Sequence, residues 1–284
     1  MTHVTPIGPS SSPPSNSPPR VTVGVFDADE SDLAVRWAAR HAARIGGVLH
    51  LLHAFVWTEL DVNTDPIPGM TGSGIRNAAH GLIDDALAIA RKEQPSLPIT
   101  SEIVDGNAVP VLVAASEESD VIVVGGRGLG RLLTLIVGSK SLALAARSRC
   151  PVVVVRGQID SDGPIGLVHH SSNDDVLARA ADLAEAYERD IHLVVRAETA
   201  TEQAQEILAA TSERISLSHP GVYVQDVTVA GGASARELVR ASEGASMMVV
   251  AGERMHGPAR PVSAPRQLVT VLRFANTPVW IERD

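Results

Sequence analysis

The residues with the clearest chemical potential lie in one stretch, Val124-Gly125-Gly126-Arg127-Gly128-Leu129-Gly130-Arg131, continuing to Val137-Gly138-Ser139-Lys140-Ser141. Glycines let a backbone approach an anion closely and adopt φ > 0, so several N–H groups converge on phosphate oxygens. Gly138, Ser139 and Ser141 open a segment of helical spacing. A helix N-terminus there offers unpaired N–H groups and the positive end of the dipole. The two hydroxyls add donors, and Arg127, Arg131 and Lys140 bring positive charge for phosphates. Taken alone, the same stretch also reads as a tight strand-to-helix connection without a ligand. It is not a Walker A loop, because no Gly-Lys-Ser/Thr follows at the required spacing. Nor is it the dinucleotide fingerprint, which follows the first strand of its unit; this loop follows the fourth.

The elements that must position this loop alternate regularly. A chain of 284 residues is about twice the usual domain length. Strands are predicted at 21–26, 48–55, 99–104, 121–124 and 152–155, with helices at 32–45, 75–92, 109–117 and 138–146 between them. Such alternation implies a parallel sheet with helical crossovers. After a linker at 157–163 the program repeats. Strands are predicted at 165–169, 191–195, 222–229, 247–250 and 279–281, with helices at 176–187, 201–216, 235–241 and 265–274. The repeat is visible in letters too: Val123 to Gly125, Arg127, Gly130 and Pro151-Val152 fall on Val250 to Gly252, Arg254, Gly257 and Pro278-Val279, at a constant offset of 127. A repeat of domain length means duplication. The expected division is a Pro- and Ser-rich disordered tail at 1–19, a first domain at 20–157 and a second at 163–284.

Composition narrows the function classes. The net charge of −9 with scattered Lys and Arg, and aromatics at only 3%, argue against a nucleic-acid-binding surface. No apolar run reaches the roughly 20 residues needed to cross a bilayer, and the N-terminus lacks a secretory pattern. The single cysteine, Cys150, fits a reducing compartment and, placed just before a buried strand, behaves as a small hydrophobe. A cytoplasmic protein is expected.

The spacing Gly125, two residues, Gly128, nine residues, Gly138-Ser139 resembles the nucleotide signature of the universal stress protein family. So do Val23-Gly24-Val25, Arg36-Trp37-Ala38-Ala39, Leu51-Leu52-His53-Ala54, Val104-Asp105-Gly106 and Cys150-Pro151-Val152-Val153-Val154-Val155, in that order. The resemblance is strong over 20–156 and weak over 163–283. It implies two tandem Rossmann-like α/β domains of that type, each an open five-stranded parallel sheet flanked by helices, the two halves packed against each other. It also implies ATP, with Mg²⁺, its triphosphate near Gly125, Arg127, Gly128, Gly138, Ser139 and Ser141. Homodimerisation through exposed edges of the last strands follows by resemblance as well. Members of the family place an aspartate at the end of the first strand for the nucleoside. Here Phe26 stands at that position and Asp27 one residue later, and successive strand residues point to opposite faces. Asp27 takes the role if the strand end bulges; otherwise nucleoside anchoring is weakened.

In the second copy the donors disappear. Gly128 becomes Met255, Gly138 becomes Pro265, Ser139 becomes Arg266 and Ser141 becomes Leu268. Proline has no N–H to donate, so a structural repeat without nucleotide is expected there. Adjacent His169 and His170 point to opposite faces of a strand and suggest no metal site. Trp37 reads as packing, and Glu117, Glu118 and Asp120 as a solvated turn. No Ser-His-Asp arrangement or paired carboxylates can be argued from spacing. The reading is therefore an ATP-binding protein of stress response or signalling, with an unknown protein partner. A nucleotide-free interaction scaffold is the alternative, and slow ATP hydrolysis ranks third.

Overall fold

Valine-rich runs separated by amphipathic stretches produce the same program twice. The first half comprises strands β1 (Arg20–Gly24), β2 (Val48–Phe55), β3 (Ile99–Asp105), β4 (Val121–Gly125) and β5 (Val152–Val155). Helices α1 (Ala28–Arg44), α2 (Ser73–Glu93), α3 (Ala108–Ala115) and α4 (Ser139–Arg147) lie between them. The second half repeats the order with β6 (Ile165–Val168), α5 (Asp174–Tyr187), β7 (Ile191–Ala197), α6 (Thr201–Ser218) and β8 (Val224–Ala230). It ends with α7 (Ala235–Ala241), β9 (Met247–Gly252), α8 (Arg266–Phe274) and β10 (Val279–Arg283). The computed structural model describes residues 17–26, 28–55, 73–126, 139–168, 174–197, 201–230, 235–241, 243–252 and 266–283. Residues 1–16 of the expected tail lie outside them. Pro19, the last residue of that range, is tied to the sheet: its carbonyl accepts the Val48 N–H at 2.8 Å.

Within each half all neighbouring strands are parallel, in the orders β3-β2-β1-β4-β5 and β8-β7-β6-β9-β10. The two sheets fuse through β5 and β10, which pair antiparallel, so ten strands form one sheet. In that ladder Val153 sits opposite Trp280, flanked by Val154 with Val279 and Val152 with Ile281. Val153 and Trp280 are also equivalent under the 127-residue repeat, so the local two-fold axis relating the halves passes through this pair. The edges expected to serve a homodimer are thus consumed within the chain, and the outer strands of the sheet are β3 and β8.

Period-two alternation divides the core between the sheet faces. Val21, Val23 and Val25 pack with Ala34, Val35 and Ala38 of α1, Ile83 and Ala86 of α2, and their counterparts on α5 and α6. On the other face Ile122, Val124, Val152 and Val154 meet Leu112 of α3, Leu144 of α4, Val239 of α7 and Leu272 of α8. Cys150 is buried among the latter, and its thiol is pushed up to about 12, chiefly by burial. The acidic turn expected to be merely solvated has a structural role. Asp120 accepts the Arg20 N–H at 2.6 Å and Glu118 pairs with the Arg20 guanidinium at 3.2 Å, tying the start of β1 to the start of β4.

Aromatic residues are scarce, yet several gather where the halves meet. His41 of α1 stacks on Trp37 at 5.0 Å and lies 5.9 Å from the Tyr187 ring of α5 and 5.4 Å from Trp280 of β10. Its Nδ1 is 2.9 Å from the Tyr187 hydroxyl. Beside it, the Glu282 carboxylate accepts from Arg179 at 2.8 Å and from the Trp280 indole N–H at 2.9 Å. Trp37 is therefore part of a polar and aromatic seam that joins the halves.

Burial holds the His41 imidazole down at about 3, with Arg179 and Arg44 adding repulsion. Burial, and then Arg20, holds His50 at about 4. Between the ordinary imidazole value and these depressed values, the unfolded chain binds protons that the folded chain does not. Stability is thus fully present above about pH 6.5 and falls on acidification, by up to about 1.4 kcal/mol per pH unit for each fully coupled histidine. Glu282, whose folded value is raised mainly by burial, works in the opposite direction. His41→Phe is expected to make the decline in urea-unfolding free energy from pH 6.5 to 4 shallower by about one proton's worth. An unchanged slope would mean that His41 is not held neutral.

Candidate functional site

In an open parallel sheet a ligand crevice forms outside the carboxyl ends of the strands where strand order reverses. In the first half that point lies between β1 and β4, since β1 pairs with β2 on one side and β4 on the other. The β4 side ends in Gly125, which pairs with Val155. Gly126 follows, its N–H donating to the Val155 carbonyl at 2.7 Å. A Cβ on Gly126 would stand 3.0 Å from the Arg156 Cβ and 3.2 Å from that carbonyl, so close approach to β5 is itself a reason for glycine here. A crossover helix runs back against its strands, which sets the start of α4 at the same end as Gly125. Ser139 is its first residue, and Ser141, two residues on, is 5% exposed. Arg127, Gly128 and Gly138 lie outside the described residues, as do the side chain of Ser139 and all of Asp27.

On the β1 side Phe26 stands at the strand end, as the spacing placed it. The Phe26 ring folds back over the strand: a Cβ on Gly24 would meet it at 2.9 Å, with a Leu112 methyl at 3.3 Å. The ring packs on the core of the α3 and α4 face. It offers the crevice an apolar group where a carboxylate was expected. Two polar side chains fix this strand end, a role that the sequence reading did not assign to them. His53 of β2 places its Nδ1 2.7 Å from the Val25 carbonyl, and Ser31 of α1 accepts the Phe26 N–H at 3.0 Å. The available signal was a pair of histidines, His50 and His53, in the otherwise apolar run of β2.

The corresponding point of the second half lies between β6 and β9. Gly252 ends β9 with no room for a side chain: its Cβ would sit 2.9 Å from an Ile281 methyl. α8 begins at Arg266, and Leu268, the counterpart of Ser141, is 4% exposed within the core. Met255 and Pro265, the Arg266 side chain, His169 and His170 lie outside the described residues.

The model of the universal stress protein family matches residues 19–156. Along nearly its whole length the chain is 32% identical to the universal stress protein Rv2623 of Mycobacterium tuberculosis, over 95% of this chain and 98% of the relative. The chain belongs to the universal stress protein family. A second universal stress protein of M. tuberculosis, Rv2005c, is 27% identical over 93% of this chain and 97% of its own. The fold is similar to that of a universal stress protein from Archaeoglobus fulgidus, with a TM-score of 0.72 at 14% identity, covering 93% of this chain and 98% of that one.

As a tandem universal stress protein, the chain keeps a glycine-ended strand beside a helix start in both halves, but a hydroxyl at the third helical position only in the first. Among the described residues no cluster of three or more His, Cys, Asp or Glu is arranged to hold a metal. No helix among them is long and apolar enough to cross a membrane.

Proposed function

We propose that this universal stress protein binds an adenine nucleotide, ATP with Mg²⁺, in the first-half crevice and none in the second. The carrying observation is that Gly125 and Ser139, the two ends of the glycine-rich spacing, sit at a strand-order reversal and at the start of the returning helix. Gly125, Arg127, Gly128, Gly138, Ser139 and Ser141 hold the phosphates in this reading, and Asp27 takes the nucleoside end. Residues 20–157 form the binding unit, and 163–284 the repeat that has lost it. Replacement of Ser141 by the core residue Leu268, and of the flanking glycines by Met255 and Pro265, supports the asymmetry. Occupancy then biases conformation or partner choice in a cytoplasmic stress response.

Calorimetric titration of nucleotide-stripped protein with Mg-ATP tests this. The expected stoichiometry is one site per chain, and two sites would overturn the asymmetry. No heat at millimolar ligand would favour a second reading, a nucleotide-free interaction scaffold. The observation behind that reading is the Phe26 ring, which removes a hydrogen-bonding group worth about 1–3 kcal/mol. The double variant Gly138→Pro/Ser139→Ala is expected to lower ATP affinity at least about 100-fold, by loss of two phosphate donors. The fold should survive, because proline is tolerated beside a helix start and the second half carries Pro265 there. Unaltered affinity would place the site elsewhere.

A further inference from the structure

At the amino-terminal end of the second half's strands, which the antiparallel ladder sets level with the carboxyl end of β5, a second difference between the halves leaves a cavity of about 350 Å³. It lies among α7, the end of α8, the start of β9 and the linker joining the halves. Arg236 and Arg240 line it from α7, and a spacing of four sets them on one helix face. Their counterparts at the repeat offset are Val109 and Val113 of α3. In the first half this end is clamped: the Ser116 hydroxyl accepts the Arg149 N–H at 2.8 Å, and Arg149 pairs with Glu117 at 3.8 Å. The equivalent residues of the second half are Glu243, Asn276 and Gly244, and a cavity stands where the clamp would be.

We infer that this cavity binds a small molecule carrying a phosphate or carboxylate group on a flat apolar body. Guanidinium forks match the geometry of both oxyanions. Neither arginine takes part in an ion pair among the described residues, and Glu243 is the sole carboxylate among the lining residues. The apolar wall is Phe274, 37% exposed, with the Arg236 guanidinium 5.4 Å from its ring centroid. The volume lies at the small end of the range for small-molecule pockets. The linker forms part of the wall and is held in place. Gln158 donates its N–H to the Asn276 carbonyl at 3.0 Å, and the Ser161 hydroxyl donates to the Gly244 carbonyl at 3.1 Å. Gly157 adopts φ +62°, and a Cβ there would lie 2.2 Å from the Asn276 oxygen. A ligand in this cavity therefore bears on the joint between the halves, and none of the residues assigned to the nucleotide crevice lines it.

The test is NMR titration of the ¹⁵N-labelled full chain with phenyl phosphate, benzoate and inorganic phosphate. The expected result is saturable shifts at the Gln158 and Arg240 amides, with phenyl phosphate or benzoate binding at least about 10-fold tighter than inorganic phosphate. Whichever of the two binds more tightly identifies the oxyanion as phosphate or carboxylate. Arg236→Met and Arg240→Met should each weaken that ligand about 10-fold or more. Arg240→Lys should fall between, and Phe274→Leu should remove the advantage over inorganic phosphate. Gly138→Pro/Ser139→Ala should leave all of this unchanged. The inference fails if neither aromatic probe saturates by about 10 mM, if the arginine variants bind as wild type, or if the crevice variant abolishes the shifts.

Discussion

Trp280→Ala is expected to lower the free energy of unfolding by about 3–5 kcal/mol, the range for removing a large buried aromatic. Trp280 is 2% exposed and stands at the one antiparallel ladder of the sheet. Its ring lies 6.5 Å from Trp37 and 5.4 Å from His41, so truncation leaves a void bounded by side chains of both halves. The void cannot collapse easily, because its walls belong to α1 and α5, which their other contacts hold against the sheet. Equilibrium urea denaturation, followed by tryptophan-independent circular dichroism, measures the loss. A second, lower transition is also expected, as the halves begin to unfold separately. A cost below about 1 kcal/mol with one transition would mean that the seam does not couple them.

The second large effect concerns the charge beside that ring. Arg179→Met should destabilise the protein by about 3–5 kcal/mol at neutral pH, because it strands a buried carboxylate. The Glu282 side chain is 8% exposed, and Arg179 supplies its only ion pair among the described residues, at 2.8 Å. The indole N–H of Trp280 and the backbone N–H of Arg283 remain, but neutral donors do not replace a guanidinium. Adding Glu282→Gln to Arg179→Met should recover most of the loss, since the uncompensated charge is then gone. Failure of the double variant to recover would assign the cost to the lost stacking of the Arg179 guanidinium over the Trp280 ring instead.

Most of the fold was legible because each element is encoded locally. Runs such as Val121 to Val124 and Val152 to Val155 fit buried parallel strands, and helical spacing with glycine stops marked the rest. The observed β2, β5 and α7 coincide with the predicted ranges, and other boundaries shift by a few residues where ends fray. The fusion of two sheets was not legible. Nothing in the four valines of β5 specifies a partner strand more than a hundred residues away. The seam was hidden for the same reason, since Trp37 and His41 of α1 lie more than a hundred residues from Tyr187 and Trp280. At the crevice, the glycine spacing was readable because close backbone approach restricts residue type, as at Gly126, where a Cβ would stand 3.0 Å from the Arg156 Cβ. The fold-back of Phe26 onto Gly24 and Leu112 was not, because a side-chain direction depends on what the opposite helix leaves open.

A residue on a two-fold axis faces itself whenever the two partners are identical copies. In a symmetric pair of separate chains, a tryptophan at that spot would meet a second tryptophan, and a valine a second valine. Here the axis pair is Val153 against Trp280, one small and one large, both buried on the same face. Such a pairing is open only to a covalent duplicate, in which each copy mutates without dragging its twin along. Gene fusion therefore did more here than fix stoichiometry. It released the joint from the rule of self-complementarity, and the same release let one crevice lose its hydroxyls while the other kept them.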